Sequence, residues 1–305
     1  MNIKDVLTSE ELAAIGERSD WRAWWLVLCN YAIVIATFAV MAVWPNPLTI
    51  LLGIVVLGGR QLGFGVLVHE CGHGTLFRSR RLNDFVGEWL AAAPTFNNMK
   101  AYIRGHLHHH RLAGTDQDPD LPNYQDYPIS HERLRRKLWR DLTGQTGWKQ
   151  VQGIVRGLLH LNQQKPEQRL ALIRGLVANA LLLGVLTAVG QPWLYLTWMV
   201  AFLTTNRLVS RIRQVAEHGA VPDLTNLDPR QNTRTVIANP LERLVLCPLG
   251  VNYHLEHHML ASVPIYHLPK MHRLLRSKGL YEEVRVPRGY LALLRDVTVP
   301  AGAPA

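Results

Sequence analysis

The chain has 305 residues, with 33 Lys and Arg against 23 Asp and Glu, a formal net charge of +10, and a mean hydropathy of 0.00 with a pI near 9.8. So basic a chain invites a nucleic-acid function, but its basic residues are spread along the flanks of long apolar blocks with no binding motif beside them, which excludes it. The neutral average conceals apolar residues gathered into blocks and charges gathered elsewhere, the pattern of an integral membrane protein.

In chain order, residues 1–23 mix acids and bases and precede an apolar block too long for a signal peptide, so no cleaved targeting segment is expected. Residues 24–44 carry no charge, and about 20 apolar residues are enough to cross a bilayer core. After the turn-like Pro45-Asn46-Pro47, a second block covers about 48–68 and is interrupted only by Arg60. A second pair, about 170–189 and 193–208, is joined by Gly190-Gln191-Pro192. The expected architecture is all-α, with four transmembrane helices in two hairpins. Lys and Arg are missing from both hairpin tips, so residues 1–23, 69–169 and 209–305 are expected on the cytoplasmic side. Arg174 lies close enough to its helix end to snorkel. A charge near mid-span, such as Arg60, costs about 2.5–3.5 kcal/mol on insertion scales and should face the bundle interior, a substrate path or a hydrogen-bonding partner.

The connecting segments are predicted as helix over 83–93, with Phe85, Trp89 and Leu90 at the interface, loop over 114–130, and helix again over 148–161. The Pro/Ala/Gly tail is expected to be disordered. Cys29, Cys71 and Cys247 show neither CxxC spacing nor an even framework, which points to a reducing compartment.

Most of the fourteen histidines fall into spaced groups. The second apolar block ends in His69-Glu70-Cys71-Gly72-His73, an i, i+4 pair on one helix face. Gly105-His106-Leu107-His108-His109-His110 places His106, His109 and His110 on one face, with His108 turned about 200° away from His106. Asn252-Tyr253-His254-Leu255-Glu256-His257-His258 repeats the His-x-x-His-His spacing. A lone His218, after Glu217, follows the fourth block and brings the candidate ligands to nine. Neutral imidazole binds Zn, Cu, Fe or Ni, but a zinc site closes with four ligands, so nine histidines point to two redox metals with room for O2. His108, His131, His160, His267 and His272 belong to no spaced group and are read as surface or packing residues. Two rival functions are weaker. HECGH satisfies the zinc-protease pattern HExxH, but that leaves seven ligands without a use. A metal transporter would line a path through the spans, whereas these histidines gather on one side.

With these boxes the chain resembles the membrane fatty acid desaturase family over most of its length. HECGH, RGHLHHHR and NYHLEHHM match the three histidine boxes, and AEHG matches an additional ligand. Asp118-Pro119-Asp120, Pro264, Tyr266 and Leu268 also agree, while the extra His108 departs from the second box. The resemblance implies one domain over 1–305 holding a di-metal site in a cytoplasmic helical cap. It implies two irons held by His69, His73, His106, His109, His110, His218, His254, His257 and His258, and O2-dependent desaturation of a fatty acyl or lipid-like chain. Hydroxylation of a lipid, carotenoid or small amphipathic molecule is the alternative. Glu70, Glu217, Asn252 and Glu256 are candidate supports behind the ligands, Gln214 a candidate to face the metals, and Arg60 a candidate for the substrate path. No GxGxxG fingerprint is present, so no bound flavin, NAD or haem is expected. Electrons should come from an external ferredoxin or b5-type cytochrome with its reductase, drawn to a basic face. The excess of Arg over Lys points to a bacterial inner membrane.

Overall fold

A computed structural model describes residues 3–300, and the expected disordered tail at 301–305 lies outside them. Two helices form the first apolar pair. After a short α1 (Ser9–Gly16), α2 covers Asp20–Val43, with the Ser19 side chain accepting from the Arg22 N–H as N-cap. α3 covers Pro47–His73; Asn46 caps it through the Leu48 and Thr49 N–H groups, and Pro47 occupies the first turn, where a missing N–H costs nothing. At 27 residues α3 is about 40 Å long, more than the roughly 30 Å hydrocarbon core, so its last turn can carry ligands clear of lipid. Gly74, at φ 72°, ends the helix immediately after His73 in a conformation that costs glycine little.

Among the described residues three helices are long and apolar enough to cross a membrane: α2, α3 and α8 (Pro166–Ala188). α3 is the central one, packed against neighbours over most of its length, whereas α2 and α8 turn Trp25, Leu28, Ile35, Leu176, Leu181 and Val185 outwards. The fourth apolar block is divided. α9 (Leu194–Leu203) is only 10 residues, about 15 Å, and the chain breaks at Thr204 (φ −117°, ψ −84°) before α10 (Thr205–His218). Two polar side chains account for the break. Thr205 Oγ1 donates to the Ile54 carbonyl at 2.8 Å and Asn206 Nδ2 to the Gly58 carbonyl at 3.3 Å, both on α3. Gly58 permits that approach, since a Cβ there would stand 2.8 Å from the Asn206 backbone nitrogen.

Shorter helices build a second layer: α4 (Arg80–Phe85), α5 (Met99–Leu112), α6 (His131–Leu142), α7 (Gln145–Leu159), α11 (Pro229–Asn232), α12 (Pro240–Val245), α13 (His254–Met259), α14 (Leu268–Ser277) and α15 (Tyr290–Asp296). The helix predicted over 83–93 is α4 continued by a π-helical turn over Val86–Ala92. Residues 114–130 are loop and short turns, as the Asp, Pro and Tyr content predicts, apart from β1 (Ile129–Ser130), which pairs in parallel with β2 (Thr298–Val299). One apolar core joins the long helices to Val263, Ile265, Leu268, Met271 and Leu275. A second gathers Tyr124, Ile129, Leu134, Val215, Val236, Leu293 and Val297 around the far end of α10. α10 thus links the two layers, and Arg211 fixes it to α6 through the buried Asp141.

Candidate metal centre

The histidines reach the site from four helix ends. His69 and His73 occupy the last turns of α3, and His106, His109 and His110 the C-terminal half of α5, whose N-terminus is capped by Asn98. His218 ends α10, and His254, His257 and His258 lie on the short α13. Gly72 sets the distance between α3 and α5, because a Cβ there would stand 2.9 Å from Ile103 Cδ1.

All nine candidate ligands come together, in two groups. One ring nitrogen from each of His69, His73, His106, His110 and His257 lies within 4.8 Å of the others, and the same is true of His109, His218 and His258. His254 joins the second group, its Nε2 standing 3.0 Å from His218 Nε2. Both His-x-x-His-His boxes are therefore divided between the groups. Residues i+3 and i+4 diverge by about 100° around a helix, so His109 and His110 face different centres, as do His257 and His258. The groups adjoin where the His110 and His258 rings stack with centroids 4.4 Å apart.

Several rings are held from behind. His69 Nδ1 lies 2.9 Å from Glu70 Oε1, His109 Nδ1 2.8 Å from Asp118 Oδ1, and His218 Nδ1 3.0 Å from the Asn232 carbonyl. His254 Nδ1 is 3.5 Å from Glu217 Oε1, at the edge of hydrogen-bond range. An acceptor on Nδ1 places the ring proton there and leaves Nε2 as an inward lone pair, the arrangement usual in metal-bound histidine. The supports are themselves held. Glu70 also accepts from the Thr75 hydroxyl at 3.1 Å and the Ile265 N–H at 3.0 Å. Asp118 accepts from the Tyr124 hydroxyl and the Asp120 N–H, and the buried Glu256 from Thr235, His272 and Tyr281.

The donor set fits metal ions. His218 Nδ1 meets the Asn232 carbonyl and His254 Nδ1 lies 3.5 Å from Glu217, while their Nε2 atoms face each other at 3.0 Å, a spacing that a shared cation fits. In the other group, His110 Nε2 is 2.9 Å from both His106 Nε2 and His257 Nε2. Imidazole nitrogens bound at about 2.1 Å and at right angles stand about 3.0 Å apart. Protons do not supply the cation. Burial, reinforced by neighbouring imidazoles, lowers His110 and His218 to about 3 and holds His106, His254, His257 and His258 well below the ordinary histidine range. Buried His73 Nε2 and His258 Nε2 have no hydrogen-bond partner among the described residues.

The model of the fatty acid desaturase family matches residues 44–290. The chain belongs to that family. This desaturase-family oxidoreductase is 26% identical to the dihydrorhizobitoxine desaturase of Bradyrhizobium elkanii, over 90% of this chain and 80% of that one. It is 28% identical to an sn-1 oleoyl-lipid 12-desaturase of a Picosynechococcus species, over 92% and 85%. With a beta-carotene ketolase of a Paracoccus species it shares 24%, over 86% and 93%. The histidine clusters and the apolar helices agree with a metal-binding membrane enzyme.

The remaining sequence candidates of this family member take varied places. Gln214 lines a cavity of about 390 Å³ bounded by His106, His109, His218 and His254. Asn252 donates to the Val236 carbonyl at 2.8 Å and so ties the third box to residues 233–238. Arg60 is buried among helices and donates to the carbonyls of Arg243 and Leu244 in the last turn of α12, whose dipole favours a cation. His108, His131 and His160 are exposed, His267 meets Arg22, and His272 meets Glu256. Sequence reasoning attached no role to Tyr124, Asn232, Thr75 or Arg213, and saw Asp118 only as part of a motif. The i, i+4 spacing of Arg213 and Glu217 is the one signal that could have found a member of that set.

Proposed function

We propose that this chain is an O2-dependent di-iron desaturase, with one iron held by His69, His73, His106, His110 and His257 and the other by His109, His218, His254 and His258. The observation that carries it is the convergence of nine ring nitrogens in a largely buried all-imidazole nest, with His218 and His254 Nε2 facing each other at 3.0 Å. Bound iron supplies the redox power to remove two hydrogens from adjacent carbons with O2 as oxidant. The chain supplies the setting. Glu70, Asp118 and the Asn232 carbonyl keep three rings aimed inward, Glu217 stands behind a fourth, and burial keeps bulk water from the reacting carbons.

The same proposal places the protein as a single domain over 1–305 with four spans, α9 and the first turn of α10 forming the fourth. The histidines and both termini lie on the cytoplasmic side of a bacterial inner membrane. Electrons come from a ferredoxin or b5-type cytochrome. The ketolase relative favours one alternative, oxygen insertion into a lipid-like substrate, because that protein's name denotes it. A zinc-protease function fares worse: Glu70, its would-be general base, already accepts from a ring nitrogen, a hydroxyl and a backbone N–H.

Metal analysis of the purified protein, joined to product profiling of cells with and without it, tests the proposal. Two irons per chain and a new unsaturated product are expected. Two irons with a hydroxylated or keto product would establish the alternative, and a single zinc would overturn both.

A further inference from the structure

The ion pair on α10 leaves half of a guanidinium unused. Arg213 and Glu217 are one helical turn apart, and both Glu217 oxygens lie on the same nitrogen, Nη1, at 2.6 and 2.7 Å. Arg213 Nε is buried without a partner, and neither it nor Nη2 makes a hydrogen bond among the described residues. The Nε–Nη2 edge is the side of arginine that matches a carboxylate with two parallel hydrogen bonds. Leaving the buried Nε–H unmatched is costly, which favours a ligand that satisfies it.

The position of Arg213 is informative. Arg213 lies in the wall of two cavities, and Tyr102 and His254 line both as well. The outer cavity, about 390 Å³, is polar, with Gln214, Asp120 and Tyr124 in its wall. Its carboxylates do not use up the arginine, because Glu217 is matched by Nη1 alone. The inner cavity, about 140 Å³, is walled by Leu62, Gly65, Val66, Val68 and Val251 and reaches His69. It is about a quarter the size of the 530 Å³ apolar cavity between the long helices, which favours a short carbon skeleton over a membrane acyl chain. That larger apolar cavity, about 530 Å³ between α2, α8 and α9, shares no lining residue with either.

We propose that Arg213 determines specificity by binding the free carboxylate of a short amphiphilic acid through Nε and Nη2, placing a carbon skeleton of a few atoms in the inner cavity beside His69 and His254. This rests on the oxidative function proposed above and narrows its substrate from lipid-like chains in general to short carboxylic acids.

Hexanoate and its neutral counterpart hexanamide are suitable probes, titrated by calorimetry into the purified, iron-loaded protein in detergent. Hexanoate should bind at least tenfold more tightly than hexanamide. Arg213→Gln should erase that preference, read on protein that retains its iron, at a lowered melting temperature because buried Glu217 loses its ion-pair partner, and Arg213→Lys should keep part of the preference. A role confined to steadying Glu217 would weaken both probes alike and leave their ratio intact. Equal affinities in the wild type, or a full preference retained in Arg213→Gln because the carboxylate binds the metals directly, would overturn the proposal. Should the Gln variant fail to fold, the wild-type ratio and the Lys variant decide. Binding is read without turnover, so a product profile that sinks the oxidative function leaves this contrast standing.

Discussion

The two histidine groups draw on the same second and third boxes, yet they are held by different means. In the five-histidine group, support from outside the rings is sparse. Glu70 holds His69, and the remaining rings are placed mainly by helix spacing and by one another, as in the close His106–His110–His257 contacts. In the other group Asp118, the Asn232 carbonyl and Glu217 stand behind His109, His218 and His254. Regular helix geometry can place ligands that share a face, as on α3, but a ligand at the end of α10 has to be aimed by loops that arrive from elsewhere. The first group should therefore fail when a ring is removed, and the second when a loop is disturbed.

The largest effect is expected in the first group. His257→Ala takes away a nitrogen 2.9 Å from His110 Nε2, and turnover should fall below about 1% of wild type as the metal that supplies the chemistry is lost. Iron content should drop while the second group's ion remains. Retained activity with two irons would remove His257 from the ligand set.

Asp118→Asn probes the second group without touching a ligand. Partners of this kind typically contribute about 10–100-fold to metal affinity. Titration with a chelator should therefore release one ion well before the other, whereas wild type should hold both more evenly. Simultaneous release of both ions from the variant would show that the loop support is shared across the centre.

These two variants also mark how much was legible in the sequence. His257 was visible because a helix repeats every 3.6 residues and its box repeats with it, and α2, α3 and α8 were visible as long apolar blocks. The division of each box between two centres was hidden, since spacing shows a shared face but not which way adjacent rings diverge across it. Asn232 was out of reach for another reason: a backbone carbonyl carries no side-chain signature, and a loop can bring any residue there. The break at Thr204 was equally concealed, because Thr205 and Asn206 leave the helix pattern intact on paper and their bonds to carbonyls of α3 appear only in the fold.

A smaller effect is expected at Arg60, where two roles give opposite outcomes. Arg60→Met removes the donors that a buried guanidinium offers to two partly buried carbonyls of α12 and should cost about 1–3 kcal/mol of stability, read as a lower melting temperature with iron content unchanged. A residue on the substrate path would instead change kcat/KM at an unchanged melting temperature.

The smallest effect should come from the histidine that interrupts the second box. His108 is exposed on α5 while His106, His109 and His110 turn towards the two histidine groups. His108→Ala replaces an exposed side chain on a helix surface, so stability should stay within about 0.5 kcal/mol of wild type. Two irons should remain, with turnover within twofold. Loss of an ion from this variant would mean that α5 presents its box to the metals one residue out of register, and the allocation of His109 and His110 to separate centres would fall with it.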